Sequence, residues 1–291
     1  IGVSYLVLRD EFGFTNDHMA DVFEAWNHSE LDSYLIEITS HILKKKDDKD
    51  PSKYVIDIIL DAAGQKGTGK WTAKAGLDNG VAVTLIAEAV FARCLSSVKD
   101  ERVYASRQLP AGVLPDARHA AEVSSRVEDL RRAVYAAKVI SYAQGFSLLR
   151  SASDELKWDI NYGSCALMWR GGCIIRSKFL GMIKTAFDKN PKLLNLVLDQ
   201  FFVDQLASCL PGWRRTVALC AERGIPAPAL SSALSWYDGY RRANGSGNMI
   251  QAQRDYFGAH TYERVDGPRG QFHHTNWTGR GGTTASTAYN V

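Results

Sequence analysis

The sequence predicts an all-α fold. Helix-capping punctuation recurs along its 291 residues, alternating strand patterns are almost absent, and 45% of the residues are hydrophobic, enough for a sizeable core. The first residue is Ile, and "IGVSYLVLRDEF" opens inside an apolar periodic run with no cap before it, as expected of a piece of a longer chain. Thr15 is placed to cap "NDHMADVFEAW". Ser29 with Asp32 reads as a capping box ahead of "YLIEITSHIL", which ends in Lys44, Lys45 and Lys46, where a helix C-terminus favours cations. Asp50 and Pro51 read as a cap and first-turn proline opening "SKYVIDIILDAA", with Gly64 ending that helix. Further helices are expected near 81–98, 117–152, 171–187, 191–208, 212–223 and 226–243.

Landmarks repeat in one order. Trp26 and Trp169 are 143 apart, Pro51 and Pro191 140, Trp71 and Trp213 142, and Gly80 and Gly224 144. Drift of a few residues is what loop-length changes produce, so residues 1–263 read as an all-helical domain containing an internal duplication of about 144 residues. From 264 to 291 the helical period stops, and five glycines and six Ser/Thr surround Phe272, Trp277 and Tyr289. Such aromatics are costly to leave in water, so this extended tail is expected to dock on another surface.

The net charge of +3, from 35 basic and 32 acidic residues, argues against a nucleic-acid binder and permits a small anionic ligand. Five cysteines with no CxxC or CxxH pair read as reduced thiols of a cytoplasmic protein. No apolar run approaches the ~18 residues of a transmembrane helix, so no membrane partner is expected.

"GQKGTGKW", residues 64–71, fits all but the last position of a P-loop, where Trp71 replaces the hydroxyl that would face magnesium. Its glycines let backbone N–H groups approach an anion, Thr68 adds a hydroxyl, and Lys66 and Lys70 add charge; a flexible turn with solvated lysines is the competing reading. Ile86, Ala89, Val90 and Arg93 share one helix face, which directs Arg93 toward the apolar side and demands an anion there, either a ligand or an internal carboxylate such as Asp61 or Glu88. Tyr237 stands where the offset would place a second copy of Arg93, so only the first copy is equipped for an anion. "QRDYFGAHTYER" gathers Arg254, Tyr256, His260 and Tyr262; Arg254 can grip a phosphate or carboxylate with two parallel bonds and His260 can donate to one. His273 and His274 have no Cys or carboxylate cluster beside them, and no metal site is expected.

"AGQKGTGKWTA", "AEAVFARCLSSVKDER", "NYGSCALMWRGGCIIRS", "QAQRDYFGAHTYER" and "HTNWTGRGG" together resemble the C-terminal helical domain of the 6-phosphogluconate dehydrogenases, and the resemblance runs from residue 1 to 291. It implies an NADP-dependent oxidative decarboxylase converting 6-phosphogluconate to ribulose 5-phosphate and carbon dioxide in the pentose phosphate pathway. It also implies a homodimer whose helical domain is duplicated and whose tail enters the partner. By motif, Lys66, Thr68 and Arg93 would bind the substrate phosphate, with Arg254 reaching the phosphate and His260 the polar end of the substrate from the partner chain; Trp71 becomes a packing residue. The family's GxGxxG domain and its "KMVHNGIEY" type of motif, which carries the general base and acid, lie upstream of Ile1, so no catalytic residue is assigned and the fragment alone is expected to be inactive. Arg280 stands where "TGHGG" is usual and His273 where an apolar residue is usual. The alternative reading is a non-enzymatic helical dimerisation or interaction module.

Overall fold

The computed structural model describes residues 1–110 and 122–279. As predicted, the described residues form helices joined by turns and loops, with only two short strands. They divide into two compact units, Ile1–Tyr237 and a second beginning at Asp238.

The first unit is organised around α8 (Val123–Leu156), which buries Leu130, Tyr135, Val139, Ile140 and Phe146, with Ala133, Ala136, Ala137 and Ala143 between them. The small residues let α11 (Gln200–Glu222) approach closely: a Cβ at Gly212 would stand 2.7 Å from Asp129 Oδ1 and 3.1 Å from Asp129 Cα. Two helix pairs pack nearby, α2 (Asn16–Asn27) with α3 (Tyr34–Lys44), and α9 (Tyr162–Met168) with α10 (Leu180–Lys189). Before them stand α1 (Gly2–Leu6) and a π-helical segment, Val7–Glu11. α5 (Thr68–Asp78) packs on α6 (Thr84–Ser97), which also meets α8; α4 (Val55–Ile58), α7 (Lys99–Gln108) and α12 (Pro228–Tyr240) complete the helices that begin in this unit. Trp213, Tyr135, Phe23 and Phe202 are its largest fully buried side chains.

Thr15 caps α2 as expected, its Oγ1 accepting from His18 N–H at 3.3 Å. The Ser29–Asp32 box does not form: Ser29 Oγ closes a turn by donating to the Trp26 carbonyl at 2.6 Å, and α3 begins after Ser33 without a side-chain cap. The helix expected over 52–63 shrinks to the four residues of α4. Asp50 instead accepts from Ser52 N–H and Oγ in a turn, Lys46 bridges Tyr54, and Gly64 ends no helix. Ile56 packs against the core, but Ile58, Ile59 and Leu60 are more than half exposed, so the apolar run beyond it gains no burial within the described chain. The helix expected from 171 starts at Leu180, because 171–179 carries Gly171, a left-handed Gly172 and the pairing of Ser177 with Ser33. Residues 191–199 form a turn and a 3-10 segment, Leu196–Leu198. α11 then runs unbroken through Pro211, where two helices were expected. Burial of Phe202, Leu206, Cys209, Trp213, Thr216 and Cys220 along it outweighs the ~3 kcal/mol cost of an interior proline. The predicted start of α8 at 117 lies outside the described residues.

Some residues related by the repeat offset take matching conformations, although Trp71, exposed at the start of α5, and Trp213, buried within α11, do not. Gly80 and Gly224 follow helix ends with φ of 62° and 65°. Asp50 Oδ1 accepts from Ser52 N–H and Asn190 Oδ1 from Lys192 N–H, each at 3.1 Å. Ser33 pairs with Ser177 in an antiparallel bridge flanked by bonds from Tyr34 N–H to the Arg176 carbonyl and from Lys178 N–H to the Asp32 carbonyl.

In the second unit, α13 (Gly247–Gly258) ends at a left-handed Ala259, and β1 (Tyr262–Glu263) pairs antiparallel with β2 (Phe272–His273). The chain then returns to α13, where the fully buried Asp255 carboxylate accepts from His274 Nδ1 at 2.9 Å, Thr275 N–H at 3.0 Å and Trp277 Nε1 at 2.8 Å. Residues 264–279 of the expected tail therefore fasten to a helix of their own chain. Arg280 and Tyr289 lie outside the described residues.

Candidate functional site

The segment leading to α5 is held by side chains of the α6–α7 corner. Asp61 takes Arg102 at 2.9 Å and Lys99 at 3.3 Å, Arg102 also donates to the Asp61 carbonyl at 3.2 Å, and Ala63 N–H donates to Ser96 Oγ at 2.9 Å. These bonds tie 61–63 to that corner. The paired cations also hold the Asp61 carboxyl below its ordinary pKa, Arg102 foremost. Further on, Gln65 Nε2 approaches Cys94 Sγ at 3.8 Å. Gly67 then turns the chain with φ of 153°, a conformation that favours glycine, and α5 starts at Thr68 with no side-chain cap. The first N–H groups of α5 have no partner within the helix, and the helix dipole makes this end attractive to an anion.

Arg93 reaches that end. A Cβ at Gly69 would lie 2.7 Å from Val90 Cγ2 and 3.3 Å from Arg93 Nη2, so the missing side chain lets α5 close on α6 and sets the guanidinium against the first turn of α5. Arg93 is exposed, which corrects the expectation that its helix face would bury it: along that face only Val90 is fully covered. Among the described residues no carboxylate pairs with it; Asp61, one of the expected internal partners, is occupied by Arg102 and Lys99. Thr68 and Arg93 thus sit together at one helix end, with Lys66 exposed on the loop two residues before. Trp71, expected as a packing residue, is 67% exposed, its ring lying over Gly67.

Arg93 also lines a mainly apolar cavity of about 670 Å3 with Leu85, Val134, Lys138, Ile175 and Leu230. Lys138 Nζ stands 5.1 Å from the centre of the Phe179 ring, and burial pushes its ammonium down to about 8, against the pull of Asp32 and Glu30. Neither this cavity nor Lys138 was signalled by a motif, since an alanine-rich helix with one lysine reads as an ordinary amphipathic surface.

Arg254 and His260 belong to the second unit, and Gln251 links them. Gln251 Oε1 accepts from Arg254 Nη1 at 3.1 Å, while Gln251 Nε2 donates to the carbonyls of His260 at 2.6 Å and Thr261 at 2.7 Å. Gly258 makes room for the imidazole: a Cβ there would come within 2.8 Å of the His260 ring. The expected site residues therefore form two groups, Lys66, Thr68 and Arg93 in one unit and Arg254 and His260 in the other.

Comparison with known proteins decides the family. The profile described as 6-phosphogluconate dehydrogenase, C-terminal domain, matches residues 1–277. The chain belongs to this family. It is 54% identical over 294 residues to the decarboxylating 6-phosphogluconate dehydrogenase of Dictyostelium discoideum, covering 100% of this chain and 59% of that protein. With the Homo sapiens protein of the same name it is 56% identical over 290 residues, covering 99% and 59%. A solved structure of Plasmodium falciparum 6-phosphogluconate dehydrogenase, described in its apo form and with its cofactor NADP+ and its substrate 6-phosphogluconate, superimposes with a TM-score of 0.89 at 40% identity, over 95% of this chain and 58% of that one. The chain thus spans about three fifths of the length of these relatives in the family.

The described residues do not fit the role of principal NADP holder. Among the described residues the only sheet is one antiparallel pair of two-residue strands, with no parallel strand–helix–strand unit to present a glycine-rich turn to a pyrophosphate. No described helix is long and apolar enough to cross a membrane.

Proposed function

We propose that this chain is the substrate-binding and dimerisation part of an NADP-dependent 6-phosphogluconate dehydrogenase, the cytoplasmic enzyme that oxidatively decarboxylates 6-phosphogluconate to ribulose 5-phosphate. The observation that carries the reading is the Arg93 guanidinium, without a carboxylate partner among the described residues, set against the uncapped start of α5. A phosphate dianion there would meet backbone N–H groups, the Thr68 hydroxyl, the planar fork of Arg93 and the mobile charge of Lys66, each charged contact contributing roughly 1.5 to 3 kcal/mol when well formed. Arg254 would complete the phosphate shell and His260 would hold the substrate's polar end, both from the partner subunit. NADP is proposed as cofactor of the whole enzyme, and no step of the chemistry is assigned to residues of this chain.

Homodimer formation with exchanged tails is part of the proposal. Its support is apolar surface: Ile59, Leu60, Trp71, Phe91 and Leu95 in the first unit and Phe257 and Phe272 in the second are each more than half exposed. We further propose that residues 1–263 contain a duplication, supported by the matched glycines, the matched turns and the Ser33–Ser177 bridge. Nothing in the comparisons favours a non-enzymatic module.

Titration of 6-phosphogluconate and of inorganic phosphate against the 291-residue chain, followed by calorimetry, tests the site. Binding to the parent and its loss in Arg93→Ala are expected; equal binding in both would overturn the assignment. The chain alone should produce no NADPH, and removal of 264–291 should weaken a dimer seen by light scattering. A monomer at micromolar concentration would count against tail exchange.

A further inference from the structure

Arg254 and His260 are six positions apart, one inside α13 and one just past its end, and a single side chain touches both. The Gln251 amide presents an acceptor and two donors in one rigid plane. Its oxygen takes Arg254 Nη1, and its nitrogen takes the main-chain carbonyls on either side of the His260–Thr261 peptide. Two needs are met at once. Arg254 is long and loses rotamer freedom on binding an anion, so a neighbour that holds it beforehand lowers that cost. The backbone after α13 leaves the helix through the left-handed Ala259, and the carbonyls of 260 and 261 lie beyond the reach of helical N–H groups.

We propose that Gln251 is a positioning residue that fixes Arg254 and His260 relative to one another so that both can meet one substrate. The inference rests on the reading of those two residues as substrate ligands. Asp255, one turn along the same face of α13, braces the arrangement by holding His274, Thr275 and Trp277. A methionine at 251 would match the volume while making none of these bonds. A glutamate would keep an acceptor for Arg254 and set a carboxylate against the two carbonyls, separating the two arms of the contact.

The test is the affinity of the full chain for 6-phosphogluconate, by calorimetry, in Gln251→Met, Gln251→Glu, Arg254→Ala, the double variant Arg254→Ala/His260→Ala, and that double variant carrying Gln251→Met. Gln251→Met should weaken binding about fivefold, the scale of one net hydrogen bond, and should add nothing where Arg254 and His260 are already alanine. Gln251→Glu should weaken binding at least as much as Gln251→Met, because its carboxylate faces two carbonyls and competes with the substrate for Arg254; affinity equal to the parent would overturn the role of the carbonyl contacts. If Arg254→Ala weakens binding and Gln251→Met does not, the positioning role is overturned and the site stands. Equal weakening by Gln251→Met with and without the two ligands would make Gln251 a general structural residue and also overturn it. If Arg254→Ala leaves affinity unchanged, the assignment of the site falls and the inference falls with it.

Discussion

Ser33 and Ser177, 144 positions apart, face one another across an antiparallel bridge, and the residues before them, Asp32 and Arg176, approach to 3.8 Å as an ion pair. Antiparallel pairing about a point reverses the order of the partners, so under the proposed duplication this bridge would mark a local two-fold axis between the copies. Arg176 also bonds Glu37. Arg176→Ala should destabilise the first unit by no more than about 1 kcal/mol in urea unfolding, because all three groups are more than a third exposed and solvent screens them.

Gly69→Ala should be worse than its size suggests. The added methyl meets Val90 Cγ2 at 2.7 Å, and Val90 is buried and β-branched, so α5 and α6 must separate. Overpacking of this kind costs about 1 to 3 kcal/mol, and the same displacement carries the start of α5 away from Arg93. Thermal unfolding and phosphate titration should fall together; normal phosphate binding would detach the site from the helix contact.

Lys138 sets a pH dependence at the alkaline end. Its folded pKa is lowered from 10.5 to about 8, so below pH 8 both folded and unfolded chains carry the proton and the burial cost is constant. Between 8 and 10.5 the unfolded chain holds a proton that the folded one has released, and stability rises with pH. Lys138→Met should therefore be more stable than the parent at pH 7, with the gap in melting temperature closing as pH approaches 10.5. A constant gap would count against a buried ammonium.

Asp255 works in the opposite direction. Burial pushes its carboxyl up, but donation from Thr275, His274 and Trp277 outweighs that and leaves the pKa lowered. Its stabilisation is present above the ordinary carboxylate range and is lost as acid titrates it below that range. Asp255→Ala leaves three donors without their acceptor and should cost about 1 to 3 kcal/mol locally. Protease cleavage within 264–279 and a red-shifted tryptophan emission, with Trp277 freed, are the expected readouts.

Much of this was legible in the sequence. The Thr15 cap is a local signal, and local signals survive folding. The family motifs likewise led to the correct family. What failed was the fate of 52–63 and the burial of Arg93, because both depend on what covers an apolar face. Periodicity reports that a face is apolar and cannot say whether anything lies against it. The break expected at Pro211 failed for a related reason: propensity is a term of a few kcal/mol, and the buried side of α11 exceeds it. Gln251 escaped notice since a glutamine in a helix carries no chemistry of its own until its neighbours are placed.

Cys94 follows Arg93 on α6, is exposed, and touches Gln65 of the glycine-rich loop, whereas burial pushes the thiols of Cys165, Cys209 and Cys220 up, the last to about 11. A thiolate is the reactive form, so a maleimide dye at neutral pH should reach Cys94 ahead of those three. The protein thus carries a native attachment point for a fluorescent reporter beside the loop, where occupancy of the proposed phosphate site would be read as a change in brightness without engineering a new cysteine.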